Sequence, residues 1–279
     1  MSDWAFINNR FIKEEDTKLH FRDLSIQRGY GVFDFFRVVS SVPVFLEEHL
    51  DRFYFSAEQM RLVVGHRKED LKKIIDGLIK KNAATDTGIR MTLTGGYSKD
   101  GYQLSNPNLI IALQPFSSPS SEQFKKGIKL VMFQHQRQLP QVKSIDYLMA
   151  IWLQPFVKQN NADDVLYHQN GIVTECPRSN FFIVTKDETL VTPSENILNG
   201  VMRSKIIEVA KTKFKVEERE VSTDEIKKAK ESFITSTTKT ILPVNQIDDY
   251  VFPPNRRLTS VIHQLVLDRQ SSNINTVRK

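Results

Sequence analysis

The chain has 279 residues, with 39 Lys and Arg against 33 Asp and Glu, six His and a single Cys. That length suits one large domain or two of ordinary size, and 40% hydrophobic with 26% charged residues predicts a packed globular chain, not a disordered one. No run approaches the ~18 apolar residues of a membrane helix, and acids sit beside most lysine clusters behind the net charge of +6, so neither a membrane nor a nucleic-acid partner is expected. One cysteine excludes an internal disulfide and agrees with a reducing, cytoplasmic setting.

In chain order, residues 4–7 are the first strand candidate. Residues 32–39 and 42–46 flank a Ser40-Ser41 turn and predict a hairpin. Leu50, Phe53, Ala57 and Met60 recur on one helical face, and Leu71, Ile74, Ile75, Leu78 and Ile79 predict an amphipathic helix over 68–81. Strands 89–94 and 109–113 follow, separated by a glycine-rich loop that begins at Gly95-Gly96. Pro115-Phe116-Ser117-Ser118-Pro119-Ser120-Ser121 is the sharpest break in composition. It predicts a linker at 116–124 between an N-terminal domain, 1–115, and a C-terminal domain, 125–279.

Beyond the linker come a strand at 129–133 and a helix over 144–159, expected to bend at Pro155. A hairpin of 165–168 and 172–175 turns at Asn170-Gly171. Strands 181–184 and 189–191, a helix from Val201 to about Phe214, a helix start at Thr223 and a strand at 232–235 follow. Leu258, Val261, Ile262 and Leu265 mark a last helix, and the tail 271–279 reads as frayed.

Several chemistries are absent. Gly29-Tyr30-Gly31 lacks the third glycine of a dinucleotide fingerprint, and no nucleophile elbow or phosphate loop occurs. The six histidines lack metal-ligand spacing, so no metal is expected, and Cys176 has no histidine near it in sequence. Four other segments are informative together. Lys143 precedes an apolar stretch, and Glu175 ends a strand; alone each is an ordinary surface residue. Asn199-Gly200-Val201-Met202-Arg203 opens a helix, whose unpaired amides and positive dipole end suit a phosphate. Ser236-Thr237-Thr238 adds hydroxyls for the same anion.

Six motifs in order carry a resemblance: Gly31-Val32-Phe33 with Arg37; His49-Leu50-Asp51-Arg52-Phe53; Lys143-Ser144-Ile145-Asp146-Tyr147; Thr174-Glu175 with Ser179-Asn180; Gly200-Val201-Met202-Arg203; and Ser236-Thr237-Thr238 with Pro243-Val244. From about Phe6 to Asp249 the chain resembles the class IV, or fold type IV, pyridoxal-phosphate enzymes. These include branched-chain aminotransferases, D-amino-acid aminotransferases and aminodeoxychorismate lyases.

The resemblance implies a two-domain α/β (α+β) fold of the D-amino-acid aminotransferase type, with pyridoxal 5'-phosphate between the domains, in a homodimer. By it, Lys143 forms a Schiff base with the cofactor and moves the substrate proton. Glu175 faces the pyridine nitrogen, and Tyr147 donates to the ring's phenolic oxygen. Ser179 and Asn180 belong to the same cofactor motif. Arg52 takes the phosphate through its fork, with Val201, Met202, Ser236 and Thr237 completing the cup. Arg37 and Arg90 match positions of branched-chain enzymes and, with Phe33 and Thr238, fall to the substrate. Phe33 and Phe35 share one strand face, where they either wall an apolar pocket or are plain core.

The reaction this implies is transamination between an amino acid, branched-chain or otherwise apolar, and a 2-oxo acid. Glu175-Cys176 and Met202-Arg203 look more like the lyases, so formation of 4-aminobenzoate and pyruvate is the alternative. A pyridoxal-phosphate binder without turnover ranks last, because Lys143 and Glu175 are both present. Three departures stand out. Met202 replaces a common Thr, Cys176-Pro177-Arg178 replaces a Gly-Ser run, and Lys239 sits where relatives often have a small residue.

Overall fold

The computed structural model describes residues 3–278. The chain divides into two compact units, and the division does not follow chain order simply. The first unit holds the residues up to Phe116, then Val142–Asp146, then Asn273 onward.

Its elements are β1 (Trp4–Ile7), β2 (Arg10–Lys13), α1 (Leu24–Arg28), β3 (Gly31–Val39), β4 (Val42–Pro43), α2 (Leu46–Gln59), α3 (Lys68–Lys81), β5 (Thr87–Thr94) and β6 (Leu109–Leu113). The strands form one antiparallel sheet in the order β2-β1-β6-β5-β3-β4. Alternation on β3 sends Val32, Phe36 and Val38 into a core with Leu50 and Phe53 of α2 and Leu71, Ile75 and Leu78 of α3. Phe33, Phe35 and Arg37 therefore lie on the opposite face. Asp23, fully buried, caps α1 through Ser25 and also accepts from Thr94 Oγ1 and Asn108 Nδ2, each at 2.8 Å. It thereby fixes both ends of the glycine-rich loop.

Val142–Asp146 joins this unit through β3. β4 covers only Val38 and Val39 of that strand. Further along, the Phe33 N–H donates to Lys143 O (2.9 Å) and Ile145 N–H to Gly31 O (3.0 Å), with Val32 opposite Ser144. The expected helix over 144–159 is corrected by this pairing. Residues 144–147 are not helical; α5 (Leu148–Trp152) and α6 (Gln154–Gln159) follow, broken at Leu153. Pro155 sits in the first turn of α6, where its missing N–H has no helical partner to lose.

The second unit comprises Ser117–Gln141 and Tyr147–Ser272. Within the expected linker, Ser120 and Gln123 form a reciprocal capping box that starts α4 (Ser121–Lys126). β7 (Ile128–Gln134) precedes the two short helices. β8 (Asp164–Gln169), β9 (Ile172–Val173), β10 (Glu175–Cys176), β11 (Ser179–Val184) and β12 (Leu190–Thr192) come next. Then come α7 (Val201–Ala210), β13 (Val216–Glu218), α8 (Thr223–Ile226), β14 (Glu231–Thr235), β15 (Leu242–Ile247), β16 (Tyr250–Val251) and α9 (Arg257–Arg278). The mixed sheet runs β13-β12-β11-β14-β15-β7-β8-β9, with β10 on β11 and β16 on β15. Asn170 and Gly171 both have positive φ, 49° and 80°, as the tight β8–β9 turn requires. Phe181, Ile183, Ile234 and Val244 centre its core.

The tail is not frayed as expected, since α9 runs to Arg278. Two contacts within the first unit hold it. The Phe45 N–H donates to Asn273 Oδ1 (3.0 Å), and Arg278 Nη2 donates to Ser40 O (3.1 Å). Lys279 lies outside the described residues. No helix among the described residues is long and apolar enough to cross a membrane.

Candidate active site

The first unit carries the amine. Lys143 is pinned through its main chain, since its O accepts from Phe33 N–H and its N–H donates to Ser56 Oγ of α2 (3.1 Å). Its Nζ stands 4.7 Å from the Phe33 ring centroid, and Arg90 Cζ stands 3.8 Å from the same ring. β5 pairs with β3 so that Thr92 lies opposite Phe33 and Arg90 opposite Phe35. One sheet face thus displays Phe33, Phe35, Arg37, Arg90 and Thr92, and Arg90 Nε donates to Thr92 Oγ1 (3.2 Å). Arg37 lies over Phe116 at 5.4 Å with its Nε buried and unpartnered; burial lowers its pKa, opposed by Asp86. Guanidinium groups keep their charge under such shifts. The sequence-predicted Phe33, Arg90 and Lys143 are therefore together, and Arg37 lies further along the same strand, over Phe116.

Arg52 stands apart in a buried triad. Its Nε and Nη2 donate to Asp34 (2.8 and 2.9 Å), and His49 Nδ1 lies 2.7 Å from Asp34 Oδ1. The fork expected on a phosphate is engaged by Asp34, which leaves Nη1 as the outward donor. Burial alone would raise the Asp34 pKa, but Arg52 and His49 outweigh it and hold the carboxyl well below the usual range. Asp34 is then an obligate acceptor, so His49 Nδ1–H donates to it. Burial, with smaller contributions from Arg52 and Lys143, lowers the His49 pKa against the pull of Asp34, which leaves the ring neutral.

The second unit carries the acid. Glu175 is buried, and donors from three residues reach its carboxylate. Arg137 Nε reaches Oε1 (2.9 Å), and Asn180 Nδ2 (3.1 Å) and Leu198 N–H (3.0 Å) reach Oε2. The register sets this up, with Glu175 opposite Asn180, Cys176 opposite Ser179, and Asn180 opposite Thr235. Asn180 also donates to Leu198 O (2.8 Å), which fixes the chain just before α7. At Gly200, the N-cap of α7, an added Cβ would meet Asn180 Oδ1 at 2.0 Å, so only glycine lets the helix start come this close.

No side chain caps α7. Its first amides, at Val201 and Met202, are the unpaired groups that bind anions. The Met202 side chain is buried, its Sδ 3.7 Å from Gln270 Nε2 of α9, so the residue contributes its backbone rather than a hydroxyl. After β14, Ser236 Oγ and Thr238 Oγ1 lie 3.3 Å apart in the turn that also holds Thr237. Tyr147 is the N-cap residue of α5. Cys176 is buried with its thiol pushed well above its ordinary pKa by that burial, so it is no nucleophile. Among the described residues no group of three or more His, Cys, Asp or Glu could hold a metal.

Motif reading passed over Asp34 and Arg137, and it named His49 and Gly200 without assigning them a part. Asp34 left a signal, for an aspartate among Val32, Phe36 and Val38 is a charge on the buried face of a strand, and it faces His49, Arg52 and Ser56 along one edge of the apolar stripe of α2. Arg137 left none.

A two-unit α/β chain with a pinned lysine, a donor-wrapped carboxylate and an open helix start is the architecture of a class IV aminotransferase. The amino-transferase class IV family matches residues 31–247, and the chain belongs to it. Over 278 residues it is 29% identical to a D-alanine aminotransferase of Listeria monocytogenes, with 95% of each chain covered. The branched-chain amino acid aminotransferase of Escherichia coli superposes with a TM-score of 0.89 at 24% identity, covering 98% of this chain and 96% of that one. A Legionella pneumophila protein provisionally named a 4-amino-4-deoxychorismate lyase gives 0.84 at 26% identity, over 92% and 97%.

The family uses pyridoxal 5'-phosphate, and the residues present fit it. Lys143 offers the primary amine, and Glu175 offers a buried carboxylate. The uncapped α7 start, the Gly200 cradle and the hydroxyls of Ser236 and Thr237 offer a phosphate cup.

Proposed function

We propose that this enzyme transfers the amino group of an apolar amino acid, alanine-like or branched-chain, to a 2-oxo acid. Lys143, Arg52, Tyr147, Glu175, Ser179, Asn180, Val201, Met202, Ser236 and Thr237 hold the cofactor in this reading, and Phe33, Arg37, Arg90 and Thr238 meet the substrate. Bound pyridoxal phosphate supplies an electron sink for negative charge at the substrate Cα. Lys143 would be the base that takes the proton from that carbon and gives it back. Arg137, Asn180 and the Leu198 amide hold the Glu175 carboxyl in place with three donors, and Glu175 would face the pyridine nitrogen of the bound cofactor.

The observation that carries the proposal is the Lys143 face of the first unit. Phe33 and Phe35 give an apolar wall, and Arg90 and Arg37 give cations for the carboxylates of an oxo acid such as 2-oxoglutarate. A lyase needs no second oxo-acid substrate. Similarity to D-alanine and branched-chain aminotransferases supports the same reading, whereas Glu175-Cys176 and the Legionella likeness favour the lyase. The test supplies D- and L-alanine and D- and L-leucine with 2-oxoglutarate and, separately, aminodeoxychorismate. Glutamate formation without 4-aminobenzoate is expected; 4-aminobenzoate without glutamate would replace the proposal with the lyase. A cofactor band that no amino acid shifts would reduce the chain to a binder.

A further inference from the structure

Ser56 sits inside α2, one helical turn after Arg52 and two after His49, with no exposed surface. A hydroxyl there is a poor choice for the helix alone. Alanine favours a helix interior more than serine does, and a buried hydroxyl loses its water. The gain lies outside the helix, where Ser56 Oγ accepts from the Lys143 N–H at 3.1 Å.

That bond closes a circuit that lies wholly within the first unit. From Lys143 it runs through the main-chain oxygen to the Phe33 N–H on β3 (2.9 Å), and Asp34 follows Phe33. Asp34 accepts from Arg52 Nε (2.8 Å) and from His49 Nδ1 (2.7 Å). His49, Arg52 and Ser56 recur at spacings of three and four on one edge of α2, which returns the circuit to Lys143. Burial, and after it Arg52 and Lys143, lower the His49 pKa against Asp34, so the lysine charge is felt on this same edge. Val142, just before the lysine, is buried in the core that holds Phe53 and Ala57. Just after it, Ile145 N–H donates to Gly31 O (3.0 Å). Residues 142–146 form no helix or named strand, so tertiary bonds set the direction in which the Lys143 side chain leaves.

We propose that Ser56 is a positioning residue for the reaction, which fixes the Lys143 main chain so that the amine is presented in one place beside β3. The inference deepens the transamination reading and rests on Lys143 being its reactive amine. A reacting group displaced by about an ångström loses much of its advantage, so the effect on lysine reactivity exceeds the effect on stability.

The test exposes the full-length chain, freed of cofactor, to pyridoxal 5'-phosphate and cyanoborohydride and follows the reduced adduct at each lysine by peptide mass spectrometry. Ser56→Ala should slow labelling at Lys143 roughly tenfold, the upper range of one neutral hydrogen bond, and leave the exposed Lys227 unchanged. Ser56→Thr keeps the hydroxyl and should recover most of the rate. Ile75→Val opens a small cavity in the core of the same unit. It should lower the melting temperature while Lys143 labels as in the wild type. In the loaded protein, the pH midpoint of the visible cofactor band should move with Ser56→Ala and stay with Ile75→Val. Equal slowing in Ile75→Val, or equal slowing at Lys227, would overturn the proposal and leave Ser56 a residue of the core. A wild type whose Lys143 labels no faster than Lys227 overturns the reading of Lys143 and this proposal with it; fast labelling at Lys143 that Ser56→Ala does not change overturns this proposal alone.

Discussion

Asp34 has no accessible surface and takes donors from two residues of α2 at once. Its loss as a charge strands Arg52 and His49 in the core. Asp34→Asn is therefore expected to cost about 3–5 kcal/mol in urea unfolding, the range for breaking a buried pair on one side. It also frees the Arg52 fork to wander, so pyridoxal phosphate should bind more weakly to this variant while pyridoxal, without the phosphate, binds as before. Equal loss of both would make Asp34 structural only. The acid response follows from the same triad. His49 and Asp34 both have folded pKa values below their ordinary ones, so the unfolded chain binds protons that the folded chain refuses. Stability is full above about pH 6.5 and falls as the pH drops, first through the ordinary histidine range and then below about pH 4. A urea midpoint that stays level from pH 7 to pH 4 would contradict this. At Gly200 the argument is steric. The Gly200→Ala methyl must displace the Asn180 amide, which releases both Glu175 and Leu198. Cofactor retention should fall by an order of magnitude, read by dialysis and absorbance, with little change in helix content.

Elements were legible where periodicity was strong and neighbours few. The apolar stripe of α3 and the Asn170-Gly171 hairpin need nothing beyond their own residues. Residues 142–146 are different, because nothing in Val142-Lys143-Ser144-Ile145-Asp146 announces a strand; its conformation comes from the part of β3 that β4 leaves uncovered. Only the motif around Lys143 drew attention to this segment, and the expected helix there gave way to this tertiary pairing. The same logic explains the tail. Residues 271–279 lack an apolar stripe, yet Asn273 supplies what α2 lacks, for the N-cap residue Phe45 sits at φ 55° without a side-chain cap. Asn273→Ala is expected to cost about 1 kcal/mol, one neutral hydrogen bond, and to speed hydrogen exchange at the Phe45 amide more than in α3. Unchanged exchange at Phe45 would mean that α9 ends there without consequence for α2.

At the scale of the whole molecule, the Pro- and Ser-rich break at 115–121 is a mark in composition, and the first stretch of the first unit ends at Phe116. The returns of 142–146 and 273 onward left no such mark, since composition records linkers and not crossings. A further property of the molecule is written on α5, where Leu148, Ile151 and Trp152 are 72%, 63% and 64% exposed. Three large apolar side chains on one five-residue helix exceed the scattered surface hydrophobics of a monomer, which makes this helix the place to test for association. The net charge of +6 is modest, and no acidic or basic run adjoins the helix to select a partner of opposite sign. Self-association through an isologous contact is the arrangement this favours, and a homodimer is the state expected of the chain. Sedimentation velocity should then report about twice the 32.3 kDa of one chain. Trp152→Glu places a charge where an aromatic anchor would be buried. An anchor worth about 2 kcal/mol, lost from both copies of an isologous contact, raises the dimer dissociation constant roughly a thousand-fold, enough to reveal monomer at micromolar concentration. Lys227→Glu, an exposed change of similar charge away from α5, should leave the dimer intact. A wild-type monomer would remove the homodimer expectation, and a dimer indifferent to Trp152→Glu would move the interface to another face.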